Sequence, residues 1–283
     1  MTILVTGSNG QLGSALRLAS AESNHRYIFT DIAELDITSG KAIEEVVQHH
    51  GIDIIINCAA YTAVDKAENE ESIAELINHC AVATLAEVCK RNNITLFHIS
   101  TDYIFSGETV APYTENAIPA PLNAYGRTKL AGERAIAESG CNAIILRTSW
   151  LYSEFGRNFC KTMRELTAIR PEIKVVADQF GTPTYAVDLA NDIVAIIENG
   201  QHTKYGTYNY SNEGECSWYE FACEIARQSG NNKCKIVPCT TAGYPTEAKR
   251  PRYSVLDKSK IKATFGIAIS AWQDSLAECI KKF

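Results

Sequence analysis

Tyr125 and Lys129 stand four residues apart in Asn123-Ala-Tyr-Gly-Arg-Thr-Lys-Leu-Ala-Gly-Glu133, a stretch patterned as a helix that begins near Asn123. That spacing puts both side chains on one helical face. A tyrosine is a useful proton donor to a developing alkoxide only when its acidity is raised from a reference pKa of about 10. An ammonium one turn away raises it by favouring the phenolate. The pair is therefore a candidate acid/base couple for carbonyl reduction or alcohol oxidation. Of the 13 tyrosines, only Tyr125 has a lysine at that offset. On their own the two residues read equally well as the surface of an amphipathic helix, so the question is whether the chain also holds a hydride carrier.

A place for one lies at the start of the chain. Thr2 to Thr6 is a short β-branched run without alternation, as expected of a strand buried on both faces of a parallel sheet. It leads into Gly7-Ser-Asn-Gly-Gln-Leu-Gly13 and then a helix-patterned segment from Ser14. Strand, glycine turn, helix is the setting in which such glycines bind a dinucleotide. Gly7 would allow the tight turn, Gly10 the approach of the pyrophosphate and Gly13 close packing. Gln11 and Leu12 would present their N–H groups at the positive end of the helix. The spacing is G-x-x-G-x-x-G, and a merely flexible turn is the competing reading. A second strand, Tyr27 to Thr30, ends in Asp31, about 20 positions past the turn, where an acidic residue grips the adenosine ribose. A helix-capping role for Asp31 is the alternative. Its charge would repel a 2′-phosphate and no arginine follows, which leans towards NADH or use of both NADH and NADPH. Asp36 and Ile37 would border the adenine.

The positioning elements repeat this pattern. A helix over about 39–50 leads to the strand Asp53 to Asn57 and then Cys58-Ala-Ala-Tyr-Thr62. There the small residues Ala59 and Ala60 would let the backbone pass close to a cofactor, although small residues also simply pack well. A helix over about 70–92 leads to Thr95 to Ile99 and then Ser100-Thr-Asp-Tyr-Ile-Phe105, and the Tyr125 helix leads to Ala143 to Arg147. Alternating strands and helices imply an α/β fold, a doubly wound parallel Rossmann sheet with its ligand at the carboxyl ends of the strands. Thr101 and Thr148-Ser-Trp150 fall just past such ends. Residues 1–150 would form the NAD(P)-binding domain. Residues 151–283, with helices near 157–168, 186–199 and 217–228, would mainly form a smaller C-terminal lobe binding the substrate, with the chain free to cross between the two. Lys249-Arg-Pro-Arg252 is a basic patch, either a solvated loop or a seat for a diphosphate on Arg250.

Composition narrows the classes. A formal charge of −6 with no long basic run argues against a nucleic-acid binder. Ten cysteines without a C-x-x-C pair fit a reducing cytoplasm better than a disulfide scaffold. The N-terminal run lacks the pattern of a signal peptide, and no apolar run approaches the roughly 18 residues of a membrane span. A soluble, cytoplasmic protein with no membrane partner is expected.

With Thr101 beside Tyr125 and Lys129, these features read as a Rossmann oxidoreductase using a tyrosine acid. The chain resembles the extended short-chain dehydrogenase/reductases, and more narrowly the dTDP-4-dehydrorhamnose reductase family, from residue 2 to near the C-terminus. The narrowest signals are Ala63-Val-Asp-Lys-Ala-Glu68 and Arg147-Thr-Ser-Trp150, with Asp178 to Thr184 and Arg250-Pro-Arg-Tyr-Ser-Val-Leu-Asp257 beyond them. The resemblance implies NAD(P)H-dependent reduction of the 4-keto group of dTDP-4-dehydro-L-rhamnose. It assigns Tyr125 as proton donor, Lys129 and Asp31 as cofactor contacts, the backbone of Ala60, Tyr61 and Thr62 as a lining of the cofactor, and Thr101, Asp102 and Trp150 as contacts of the dTDP-sugar. Two departures stand out. The family often has His where Tyr61 stands, and Ser14 replaces a first-helix carboxylate with which some relatives hold an intersubunit divalent metal, so no metal is expected. A homodimer stays open, as do two other functions: a nucleotide-sugar epimerase or dehydratase, and a non-catalytic dinucleotide-binding regulatory subunit.

Overall fold

The computed structural model describes residues 1–283. Its centre is a six-stranded, wholly parallel sheet of β1 (Thr2–Thr6), β2 (Arg26–Phe29), β3 (Ile54–Asn57), β4 (Thr95–Thr101), β5 (Ala143–Thr148) and β6 (Gly206–Tyr210). The order across the sheet is β6-β5-β4-β3-β1-β2. It reverses between β1 and β3, the switch point where open α/β sheets bind ligands.

The absence of polar alternation in the strands has a direct cause. Ile3, Val5, Ile54, Ile56, Phe97, Ile144 and Leu146 point to one face, where α1 (Gln11–Ala19) and a later helix Ala186–Glu198 cover them. Leu4, Ile55, Leu96 and Ile145 point to the other. There they meet α2 (Gly40–His50) and α3 (Glu71–Asn92). Both faces are dry, so the middles of β1, β3 and β5 are apolar on both sides, and polar residues such as Asn57, Thr101 and Thr148 gather towards the carboxyl ends. By length and composition α3 would pass as a membrane span, contrary to the expectation from the sequence. Val82, Leu85, Ala86 and Val88 nevertheless bury its apolar side in the protein. The helix also contains a π-turn, Leu76–Cys80.

α4 (Ala124–Ser139) starts where its sequence suggests, with the Asn123 side chain accepting from Gly126 N–H at 2.8 Å. Beyond β5, a separate cluster including Tyr152, Met163, Tyr185, Phe221, Trp272 and Leu276 forms the core of a smaller lobe. It is built by α5 (Phe159–Ile169), α7 (Trp218–Gln228), the C-terminal helix Trp272–Ile280, a parallel pair of five-residue strands (Glu172–Val176 and Lys235–Cys239) and two two-residue strand pairs. Between them the chain returns to the sheet: Ala186–Glu198, hereafter α6, packs on α1, and β6 pairs with β5. That return strand is not marked in the sequence reading. Gly206-Thr-Tyr-Asn-Tyr210 is too mixed in polarity to announce itself.

Candidate active site

The carboxyl ends of β1, β3, β4 and β5 open on two adjoining cavities of about 580 and 600 Å³ that share Gly7, Gly10, Cys58 and Ala60. The first is lined by the glycine turn and by Thr62, Thr101, Asp102, Tyr125, Lys129 and Trp150. The second is lined by Asp31, Asp36, Ile37, Ala59 and Ala60. Residues expected at the two ends of a dinucleotide are thus divided between the two cavities in that order.

The turn between them has the form that a pyrophosphate requires. Gly7 has φ +63°, and a Cβ there would sit 2.6 Å from the Ala59 nitrogen, so only glycine fits. A Cβ on Gly13 would lie 2.5 Å from Ser8 Cα, which lets α1 start tight against the turn. Gly10 is the N-cap of α1 and contributes no side chain to cap it. The helix's first backbone bond is Ser14 N–H to Gly10 O at 2.9 Å, leaving the N–H groups of Gln11, Leu12 and Gly13 for a ligand. These features fit a dinucleotide. The Gln11 side chain faces elsewhere. Its Oε1 accepts from Ser153 Oγ and Asn158 Nδ2, both at 3.0 Å, tying the turn to the smaller lobe.

At the second cavity, Asp31 Oδ2 accepts Asn9 N–H at 2.9 Å, so the carboxylate braces the turn as well as bordering the cavity. Asp36 accepts from the N–H and hydroxyl of Thr38, which holds its carboxyl below the usual range. Tyr61 lines neither cavity. Its backbone is pinned by the Asn78 side chain at 2.9 and 3.0 Å, and its hydroxyl donates to Glu70.

The reactive end is built on β4 and α4. Thr101 ends β4, and its Oγ1 accepts Tyr103 N–H at 3.2 Å and donates to Asp102 Oδ1 at 3.1 Å. Tyr125, on the first turn of α4, is pushed up to about 12 by burial, partly countered by the Thr101 hydroxyl. The expected tuning of Tyr125 by Lys129 is absent. Lys129 Nζ donates to the Ile99 carbonyl at 2.6 Å and lies 3.3 Å from His98 Nε2. A buried ammonium must find acceptors, and the strand end supplies a better one than a phenol. Burial lowers Lys129 to about 8 and, with that ammonium alongside, holds His98 neutral. Asp102 is pushed up to about 7 by burial, only partly offset by hydroxyls of Ser254 and Thr101. Its Oδ2 is buried without a hydrogen-bond partner.

Trp150 forms one wall. It adopts φ +47°, unusual for a bulky side chain, and stacks on Trp218 with centroids 3.5 Å apart and planes at 11°. A Cβ on Gly181 would come within 2.6 Å of the Trp150 ring. Arg250 lies outside both cavities. Its fork is held by Asp65 at 2.7 and 3.0 Å, which leaves the diphosphate role expected for it without support.

Trp218, Phe159, Arg157 and Asn158 also line the first cavity, and sequence reasoning missed them. The Ser217–Glu220 capping box marks the start of α7 in the sequence, but nothing local says that Trp218 will meet Trp150.

A family model described as the RmlD substrate binding domain matches residues 1–283. A dTDP-4-dehydrorhamnose reductase of Aggregatibacter actinomycetemcomitans is 42% identical over 97% of this chain and 96% of its own length. A crystal structure of such a reductase from Clostridium acetobutylicum is 42% identical, covers 100% of this chain and 99% of its own, and superposes with a TM-score of 0.95. The one from Bacillus anthracis, solved in complex with NADP, is 38% identical with a TM-score of 0.93 and covers 100% of this chain and 99% of its own. With the family domain spanning the whole chain around a tyrosine–threonine cavity, the protein belongs to the dTDP-4-dehydrorhamnose reductase family.

Proposed function

We propose that the protein reduces the 4-keto group of dTDP-4-dehydro-L-rhamnose, giving dTDP-L-rhamnose, with a nicotinamide dinucleotide as reductant. One observation carries this reading: Thr101 and Tyr125 line the same cavity as the glycine turn, so a proton donor adjoins the seat of a hydride donor. Membership of the family supplies the sugar nucleotide.

A bound NADH or NADPH supplies the hydride to the carbonyl carbon. The carbonyl electron pair then moves to oxygen, and Tyr125 gives that oxygen its phenolic proton. Burial holds the phenol up to about 12, so Tyr125 carries its proton at neutral pH without the raised acidity expected from Lys129, and the alkoxide formed by hydride addition, a stronger base than a phenolate, takes that proton. The Thr101 hydroxyl donates a hydrogen bond to the same oxygen as charge builds there. Lys129, charged below about 8, would hold the nicotinamide ribose, Asp31 the adenosine ribose, and the free N–H groups of α1 the pyrophosphate. The unpartnered Asp102 oxygen suits a sugar hydroxyl, and the Trp150 face suits the apolar side of the sugar nucleotide. Asp31 favours NADH, with NADPH accepted less well.

Purified protein would be mixed with enzymatically made dTDP-4-dehydro-L-rhamnose and each reduced cofactor, and loss of nicotinamide absorbance followed. Wild type should turn over, and Tyr125→Phe should lose about 10²–10⁴-fold in kcat while still binding dinucleotide. Tight dinucleotide binding with no oxidation of either cofactor would sink the reductase reading in favour of a regulatory subunit or an epimerase.

A further inference from the structure

We infer that Glu75, His79 and Cys80 form a binding site for a borderline-soft divalent cation of the zinc class, on the outer face of α3. The inference is independent of the proposed reaction, and the site lies apart from Ser14 on α1. In a regular α-helix, residues five apart point about 140° away from one another. Here the π-turn changes that: Ala81 N–H bonds Leu76 C=O, five residues back, and the widened turn brings Cys80 round towards Glu75. A carboxylate oxygen of Glu75, an imidazole nitrogen of His79 and Sγ of Cys80 consequently lie within 4.8 Å of one another. Glu75 Oε1 and His79 Nδ1 are 2.5 Å apart.

The turn is fixed from its inner side, which makes the outer constellation a settled one. Asn78 is fully buried. Its amide bonds the Tyr61 backbone in both directions and donates to Thr128 Oγ1 at 3.2 Å. Its own carbonyl lies against Gly132 of α4, where a Cβ would approach to 2.2 Å. With Asn78 locked inwards, the backbone that carries His79 and Cys80 is held with those residues on the outer side.

The donor set identifies the ligand class. One carboxylate oxygen, one imidazole nitrogen and one thiolate sulfur suit Zn²⁺, whereas Mg²⁺ and Ca²⁺ select oxygen. A plain surface ion pair would account for Glu75 and His79 but not for the thiol gathered with them. Cys80 is exposed, so the cation has an open route and a fourth position for water. Binding displaces the Cys80 thiol proton to solvent.

The test uses the full chain, stripped of metal and kept reduced. Zn²⁺ affinity would be measured by competition with a chromophoric chelator, and Co²⁺ loading followed by its thiolate-to-metal absorption. One ion per chain is expected. His79→Ala and Cys80→Ser should each weaken Zn²⁺ at least about tenfold, the scale on which even supporting groups act. Cys80→Ser should abolish the thiolate–cobalt band while Cys234→Ser keeps it. Unchanged far-ultraviolet circular dichroism would exclude misfolding of these exposed-site variants. A band that survives Cys80→Ser, or Zn²⁺ affinity indifferent to both substitutions, overturns the site.

Discussion

The ammonium of Lys129 donates to the carbonyl of Ile99 at 2.6 Å, so the lysine is anchored to the end of β4 and not to Tyr125 one turn before it. Burial then sets its charge, and lowers it to about 8. If the charged form is what grips the cofactor ribose, kcat/KM for reduction should fall on the alkaline side with an apparent pKa near 8. The measurement is a pH profile with NADH subsaturating. A profile flat up to the lysine reference value of about 10 would show that the charge is not used.

Asp102 poses the opposite trade. Its folded-state pKa of about 7 lies above the unfolded value of 3.8, so the folded protein holds this proton more tightly. Below 3.8 both states are protonated and nothing is lost. Stability falls as pH rises from 3.8 to about 7, and the full penalty remains above it. Asp102→Asn should therefore raise stability at neutral pH by roughly 1–3 kcal/mol while lowering kcat/KM. Urea denaturation at acid and neutral pH checks the first part, and a variant no more stable than wild type at neutral pH would refute it.

Cofactor choice can be tested without disturbing the turn. Asp31→Asn keeps an acceptor for the Asn9 N–H but removes the charge that, on the proposed reading, would repel a 2′-phosphate. The ratio of kcat/KM for NADPH to that for NADH should rise about tenfold, the worth of one repulsion near a protein surface. An unchanged ratio would mean that Asp31 braces the turn and does nothing more.

Glu133 and Arg147 make a nearly dry ion pair behind the site, with Arg147 Nη2 at 2.7 Å from Glu133 Oε2 and Nε bonded to both carboxylate oxygens. Removing one partner strands the other charge. Arg147→Met alone should cost about 3–5 kcal/mol, and Glu133→Leu added to it should restore much of that. Thermal unfolding of the two single variants and the double variant reads this cycle directly.

Local features of the chain were legible in the sequence, and relations between distant parts were not. The apolar strands, the Asn123 cap and the order of the glycine turn, Asp31, Thr101 and Tyr125 each depend on a few neighbouring residues, and each stands where it was read. The direction of the Lys129 side chain depends on Ile99 and His98, 30 and 31 residues earlier, and spacing within α4 says nothing of it. Arg250 is claimed by Asp65, 185 residues away. Trp218 reaches the cavity only because α7 packs beneath Trp150. The π-turn likewise places Asn78 against the Tyr61 loop, 17 residues earlier, a pairing that no helical periodicity encodes.

The return of residues 186–210 to the central sheet bears on how this protein can be taken apart. A chain ended near residue 150 would leave β5 as a raw edge and strip α6 from Ile3, Val5 and Leu16. The half built on β1 to β5 is thus not a detachable module, and exchanging the smaller lobe between relatives would need at least two crossovers per gene. Substrate preference in such chains is more readily altered one wall residue at a time than by shuffling whole segments.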